Sequence, residues 1–240
     1  VTIDGAVSIG TSSFENCIQL SSAHFDSCLS INSNAFSKCS MLATITLPVI
    51  TTIGNAAFSD IPAMIEIDLP TVQTIGDSAF KSCENLVTVK LISCTKIGAL
   101  AFYGCISLKT ISIPKLRSMS YEAFENTAVE TLEFSELDEL LWAKINNVNY
   151  AGGYFMNCKY LTSFTAPNVL HIPALMFYGC VRLNEVKMDK AESIGWQSFY
   201  GCTDLTTMTF PQVKKIENSV FDSHPNFITI KMDAVTSIGQ

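Results

Sequence analysis

The sequence predicts a solenoid of stacked α/β coils, each a pair of short helical turns followed by a strand. Three observations carry this: a 22-residue period, a phenylalanine at one fixed place in it, and a hydrophobic spacing that switches from four to two inside it. Written from successive isoleucines, the period reads IGNAAFSDIPAMIEIDLPTVQT from Ile53, IGDSAFKSCENLVTVKLISCTK from Ile75, IGALAFYGCISLKTISIPKLRS from Ile97 and IGWQSFYGCTDLTTMTFPQVKK from Ile194. The leading position recurs at Ile9, Ile31, Met119, Tyr150, Ile172, Ile216 and Ile238, and the step from Met119 to Tyr150 is 31 residues long.

The opening half of each period holds the helical expectation. Ile53, Ala57 and Ile61, like Ile97, Ala101 and Cys105, are spaced by four, which puts them on one face of a helical turn. Phenylalanine stands five residues after the leader at positions 14, 36, 58, 80, 102, 124, 155, 177, 199 and 221, and three residues later comes a cysteine in seven of ten periods. In the second half the period becomes two. Ile45 and Leu47, Ile67 and Leu69, Val89 and Leu91, Ile111 and Ile113 alternate with polar neighbours, the pattern of a strand with one buried face. Pro48, Pro70, Pro114, Pro167 and Pro211 close the strands where a backbone donor is no longer needed. One such coil cannot bury its own apolar face, whereas stacked coils bury a continuous core.

Composition narrows the function classes. The chain is 48% hydrophobic and 15% charged with a mean hydropathy of +0.29, yet no run of apolar residues is long enough to span a bilayer, so the apolar residues belong to a core. With 15 Lys and Arg against 22 Asp and Glu the net charge is −7, which supplies no attraction for nucleic-acid phosphates or anionic membrane surfaces.

The I-G-x-x-A-F-x-x-C-x-x-L-x-x-I-x-L-P pattern of these periods resembles the BspA-like, or Treponema pallidum-type, leucine-rich repeats, and the match covers nearly the whole chain. The resemblance implies an α/β repeat solenoid, a right-handed curved horseshoe with a parallel β-sheet on its concave face and short helical turns on its convex face. It further implies a surface or secreted protein that mediates adhesion. The chain is read as a single domain, residues 1–240, of about ten repeats with an insertion at 135–149. Because neither end shows a polar cap, it reads as part of a longer chain. The pattern is departed from at Thr127 and His224, which stand where cysteine is usual, and between Phe124 and Phe134, which is one residue short.

Catalytic and metal chemistry find little support. Nine cysteines form no C-x-x-C pair, and in one column they point the same way from adjacent coils, so they read as free, buried thiols serving as small hydrophobes. His24, His171 and His224 lie in distant repeats, and no nucleophile, phosphate-loop or zinc motif is present. The expectation is a protein that is not an enzyme, with no cofactor and no metal site.

Binding is then a matter of surface. The outward strand columns place Thr44, Thr46, Glu66, Asp68, Thr88, Lys90, Thr110, Ser112, Thr131 and Glu133 on the face expected to be concave. Threonine there has a bland explanation in β propensity; the functional one is a hydroxyl-rich face offering hydrogen bonds to an extended partner. The insertion adds Trp142, Asn146 and Asn147 as candidate recognition residues, and Leu137, Leu140, Leu141 and Ile145 are spaced for a short amphipathic helix. The expected role is a protein-interaction module, an adhesin-like domain of the cell surface or a secreted protein, meeting a host extracellular-matrix or plasma protein. A glycan is a second candidate partner. The alternative role is a structural spacer that presents another domain.

Overall fold

The computed structural model describes residues 1–141, 143–145, 148–150, 152–226 and 229–239, the side chains of 142–151 aside. It is a solenoid built of parallel strands and turns. Two strand positions recur in each coil. A two-residue strand carries the leading isoleucine, and these stack into a seven-stranded ladder from Ser8–Ile9 to Glu139–Leu141 and a four-stranded one from His171–Ile172 to Ser237–Ile238. A three-residue strand carries the alternating pattern, as in Glu66–Asp68, Thr88–Lys90 and Thr110–Ser112, which pair in parallel.

The helical turns expected on the convex face are not there: no described residue is helical. The α/β assignment is therefore corrected to a parallel β solenoid. The spacing of four arises from two successive tight turns. With coils numbered by the repeating phenylalanine, Phe14 in coil 1 to Phe221 in coil 10, the N–H groups of Ala35, Ser37 and Cys39 in coil 2 close turns onto residues three back, while those of Asn34, Phe36 and Lys38 point along the stack to the carbonyls of Asn55, Ala57 and Ser59 in coil 3. Every second donor thus leaves the coil, and no i to i−4 ladder can form. Left-handed residues four apart reset each turn: Asn34 and Lys38, Ala56 and Asp60, Ser78 and Ser82 all have φ between 52° and 62°. The second of each pair is often Asn, Asp, Ser or Gly, as at Asn16, Asp60, Ser82, Gly104 and Asn126. Glycine after the leader has a different cause, since a Cβ on Gly54 would lie 2.8 Å from the Ile31 carbonyl oxygen of the coil before.

The core is a set of columns along the stack. Phenylalanines 36 through 199 of the repeating position are fully buried, Phe14 and Phe221 partly so. From Phe14 to Phe221 the rings stack with centroids 5.0 to 5.9 Å apart. All nine cysteines are free, eight of them buried and Cys17 exposed. The thiols of Cys39, Cys83, Cys105, Cys158, Cys180 and Cys202 each donate to the carbonyl of the phenylalanine in the preceding coil, at 3.0 to 3.2 Å. Thr127 stands in the same column, but its hydroxyl donates to the Phe124 carbonyl of its own coil at 2.9 Å.

The amphipathic helix expected around Leu137–Ile145 is also replaced by strands. Glu139–Leu141 continues the leader ladder in register with Ser118–Ser120, so Leu140 and not Tyr150 stands opposite Met119. Ala143–Ile145 and Val148–Tyr150 then pair antiparallel as a hairpin. The buried Tyr154 hydroxyl donates to the Leu141 carbonyl at 2.8 Å and ties the base of that excursion to the array.

Candidate functional site

The three-residue strands hold the predicted face. Their middle residues turn inward, so the flanking ones turn out to solvent: Thr44, Thr46, Glu66, Asp68, Lys90, Thr110, Ser112, Thr131 and Glu133 are exposed and Thr88 is half-buried. Register brings six of them together, Glu66 beside Thr88 beside Thr110 and Asp68 beside Lys90 beside Ser112. Lys90 Nζ lies 3.3 Å from Glu66 Oε1 and 3.8 Å from Asp68 Oδ2. All three are about half exposed, so the cluster adds little stability and leaves its charges available to a partner. Trp142, Asn146 and Asn147 lie outside the described residues.

The face is not one continuous sheet. The three-residue ladder divides into blocks, Ser22–His24 with Thr44–Thr46, then Glu66–Asp68 to Thr110–Ser112, then Thr131–Glu133 to Glu185–Lys187, then Thr207–Thr209 with Thr229–Lys231. At intact junctions the residue after one strand donates to the last carbonyl of the next strand, as Leu91 N–H does to Ser112 and Phe134 N–H to Thr165. The corresponding bond from Ile113 to Glu133 is absent, as is one from Thr131 N–H to the Lys109 carbonyl. On the preceding side of each gap the central residues Ile45, Ile111 and Val186 are only half-buried, whereas Ile67, Leu132 and Met208 on the following side are buried. Thr44 and Thr46 therefore stand across one gap from the Glu66–Lys90 cluster, and Thr131 and Glu133 across another from Ser112.

The gap between coils 5 and 6 opens beside a notch that reasoning about strand columns missed. Val87, Ile106, Ser107, Lys109, Ala128, Glu130 and Tyr160 line a cavity of about 400 Å3. Coil 6 is the one with the missing residue between Phe124 and Phe134, and that shortening was the available sequence signal. Its floor is the small, buried Ala128, and Ile106 and Tyr160, also in its lining, stand exposed. The Arg182 guanidinium sits 5.4 Å over the Tyr160 ring and holds its orientation.

Titratable groups away from this face show burial and no chemistry. Desolvation pushes the Cys83 thiol up to about 12 and those of Cys94 and Cys158 to about 11, which keeps them protonated and unreactive. Glu125, 5% exposed on the turn side, is raised to about 7 by burial first and by Glu122 second, against the Asn126 amide. His24 Nε2 meets Asp26 Oδ1 at 2.6 Å, while the His171 ring bonds Ser193 at 2.9 Å, and the two histidines lie in distant coils. Among the described residues no group of three or more His, Cys, Asp or Glu is placed to hold a metal ion.

Residues 7–131 and 144–240 match the model of the BspA type leucine-rich repeat region. This chain belongs to that family. It is a non-catalytic leucine-rich-repeat solenoid of the protein-interaction kind. A leucine-rich repeat protein from Bacteroides ovatus ATCC 8483 shares the fold at 21% identity with a TM-score of 0.59, over 100% of this chain and 83% of that one. A leucine rich cell surface protein from Faecalibacterium prausnitzii A2-165 matches at 19% identity and a TM-score of 0.53, over 97% and 87% of the two chains. The T. pallidum leucine-rich repeat protein is 23% identical over 85% of this chain and 78% of its own, with a TM-score of 0.42. No curated protein matches the sequence.

Proposed function

We propose that this BspA-type repeat array is an extracellular, adhesin-like binding domain whose three-residue ladder meets a host or neighbouring-cell protein. The observation that carries the reading is the in-register cluster Glu66, Asp68, Thr88, Lys90, Thr110 and Ser112, a rigid display of charges and hydroxyls with no structural task in the core. A protein partner is favoured over a glycan because no aromatic side chain stands in these outward columns to stack on a sugar ring. The net charge of −7 disfavours nucleic acid. An extracellular setting is supported by the Faecalibacterium fold neighbour, which is a cell surface protein.

The test is direct binding of the 240-residue chain to a panel of extracellular-matrix and plasma proteins and glycans, beside a variant with Glu66, Asp68 and Lys90 changed to Ala. Saturable binding that the variant loses is the expected result. Failure of the intact chain to bind any panel member, with the fold verified, leaves the array as a spacer that presents another domain.

A further inference from the structure

We infer that the notch between coils 5 and 6 is a receptor for one large apolar side chain on an extended segment of a partner protein. The inference rests on the protein-binding reading above and locates a contact outside the ladder face from which that reading was drawn. Three independent features converge there. The first is the cavity itself, about 400 Å3, with Ile106 58% and Tyr160 51% exposed across it and the small Ala128 at its floor. Two large apolar side chains held out in water around an open space form a surface that gains by being covered.

The second feature is the interrupted ladder beside the notch. Ile113 and Thr131 lack the inter-coil backbone bonds that their counterparts make, and the Lys109 and Glu133 carbonyls lack the matching donors. Unused main-chain donors and acceptors next to an apolar hole suit a ligand with main-chain groups of its own, which is what an extended peptide brings and a lipid or a flat apolar patch does not.

The third feature is charge. Lys109 and Glu130, each just before the three-residue strand of its coil, both line the cavity and are exposed, and neither takes part in an ion pair among the described residues. Opposite charges flanking an apolar hole select a segment with an acidic residue on one side of its anchor and a basic residue on the other. An aromatic anchor fits best, since Tyr160 offers a ring face and the space exceeds what a short aliphatic chain would fill.

Short random peptides displayed on phage, selected on the immobilised 240-residue chain, test this. The expected winners share one aromatic or large aliphatic residue flanked by opposite charges, and Ile106→Asp weakens them about tenfold or more. Ile106 is exposed, so this substitution leaves the core intact, and unchanged thermal unfolding verifies it. Exchanging the two lining charges with Lys109→Glu and Glu130→Lys is expected to reverse the order of charges in newly selected peptides. Absence of any enriched peptide, or peptides that bind the Ile106→Asp chain equally well, overturns the notch. Peptides that lose binding only when Glu66, Asp68 and Lys90 are changed to Ala overturn it as well while leaving the ladder-face reading intact.

Discussion

A cysteine in the repeat does what leucine could not. It fills a small apolar space, and its S–H gives a second donor to a phenylalanine carbonyl of the neighbouring coil, as Cys105 does to Phe80, whose carbonyl also accepts the Cys83 N–H. Burial raises these thiols, so with an alkylating reagent at neutral pH only Cys17 is expected to label quickly, and all nine after unfolding. Mass spectrometry of the labelled chain checks this, and fast modification of several column cysteines in the folded state would refute it. Removal of one stacked ring by Phe102→Ala is expected to cost roughly 3 to 5 kcal/mol in denaturant unfolding, because the space left by a ring packed on both faces cannot collapse. Glu125 makes a pH-dependent contribution. Its folded value of about 7 lies above its unfolded value, so the folded state holds the proton more tightly. Stability is therefore highest below the unfolded value and falls as pH rises through about 7, by at most roughly 3 kcal/mol. Glu125→Gln should flatten that fall; an unchanged pH profile of unfolding in the variant would exclude Glu125 as its source.

At the scale of the element, the strands were legible and the turns were not. Alternation such as Thr44-Ile45-Thr46 has one reading, and the structure places the strand on those residues. Apolar residues spaced by four have two readings: one helical turn, or two tight turns separated by a left-handed residue. The deciding signal was the Asn, Asp, Ser or Gly just before the cysteine column, at Asn16, Asp60, Ser82 and Gly104, where turn chemistry outweighs the spacing. The two readings predict opposite outcomes for exposed Lys38, whose φ is 62°. Lys38→Gly should be neutral to stabilising by up to about 1 kcal/mol, because glycine adopts this conformation without steric cost. In a helix the same change would destabilise by about that amount. The outward columns were likewise legible from period two, but the gaps in the ladder were not, since residues on both sides of a gap keep the same pattern. The notch was half legible: the missing residue in coil 6 is plain in the sequence, whereas the cavity depends on how coils 5 to 7 close around it.

Across the whole molecule, neighbouring coils are held along the turn column and the leader ladder more continuously than along the three-residue ladder. Hydrogen exchange should report this directly. The amides of Ile113 and Thr131, at an open junction, are expected to exchange faster than that of Leu91, which is bonded to the Ser112 carbonyl at 2.9 Å. Equal protection at these sites would mean that the junctions are closed in solution. The turn column has a further consequence. Its N–H groups run forward from each coil to the next, from Phe14 to Ala35, Phe36 to Ala57, and on to Phe177 and Ser198. The peptide groups of this column are thus aligned along the stack, while those after the leader point the other way, as Gly54 N–H donates back to Ile31 and Gly76 N–H back to Ile53. Severed at a junction, the turn column would leave donors on the fragment before the cut and acceptors on the one after it, and the leader column the reverse, so each cut face keeps a fixed two-column pattern that the opposite face of a coil completes.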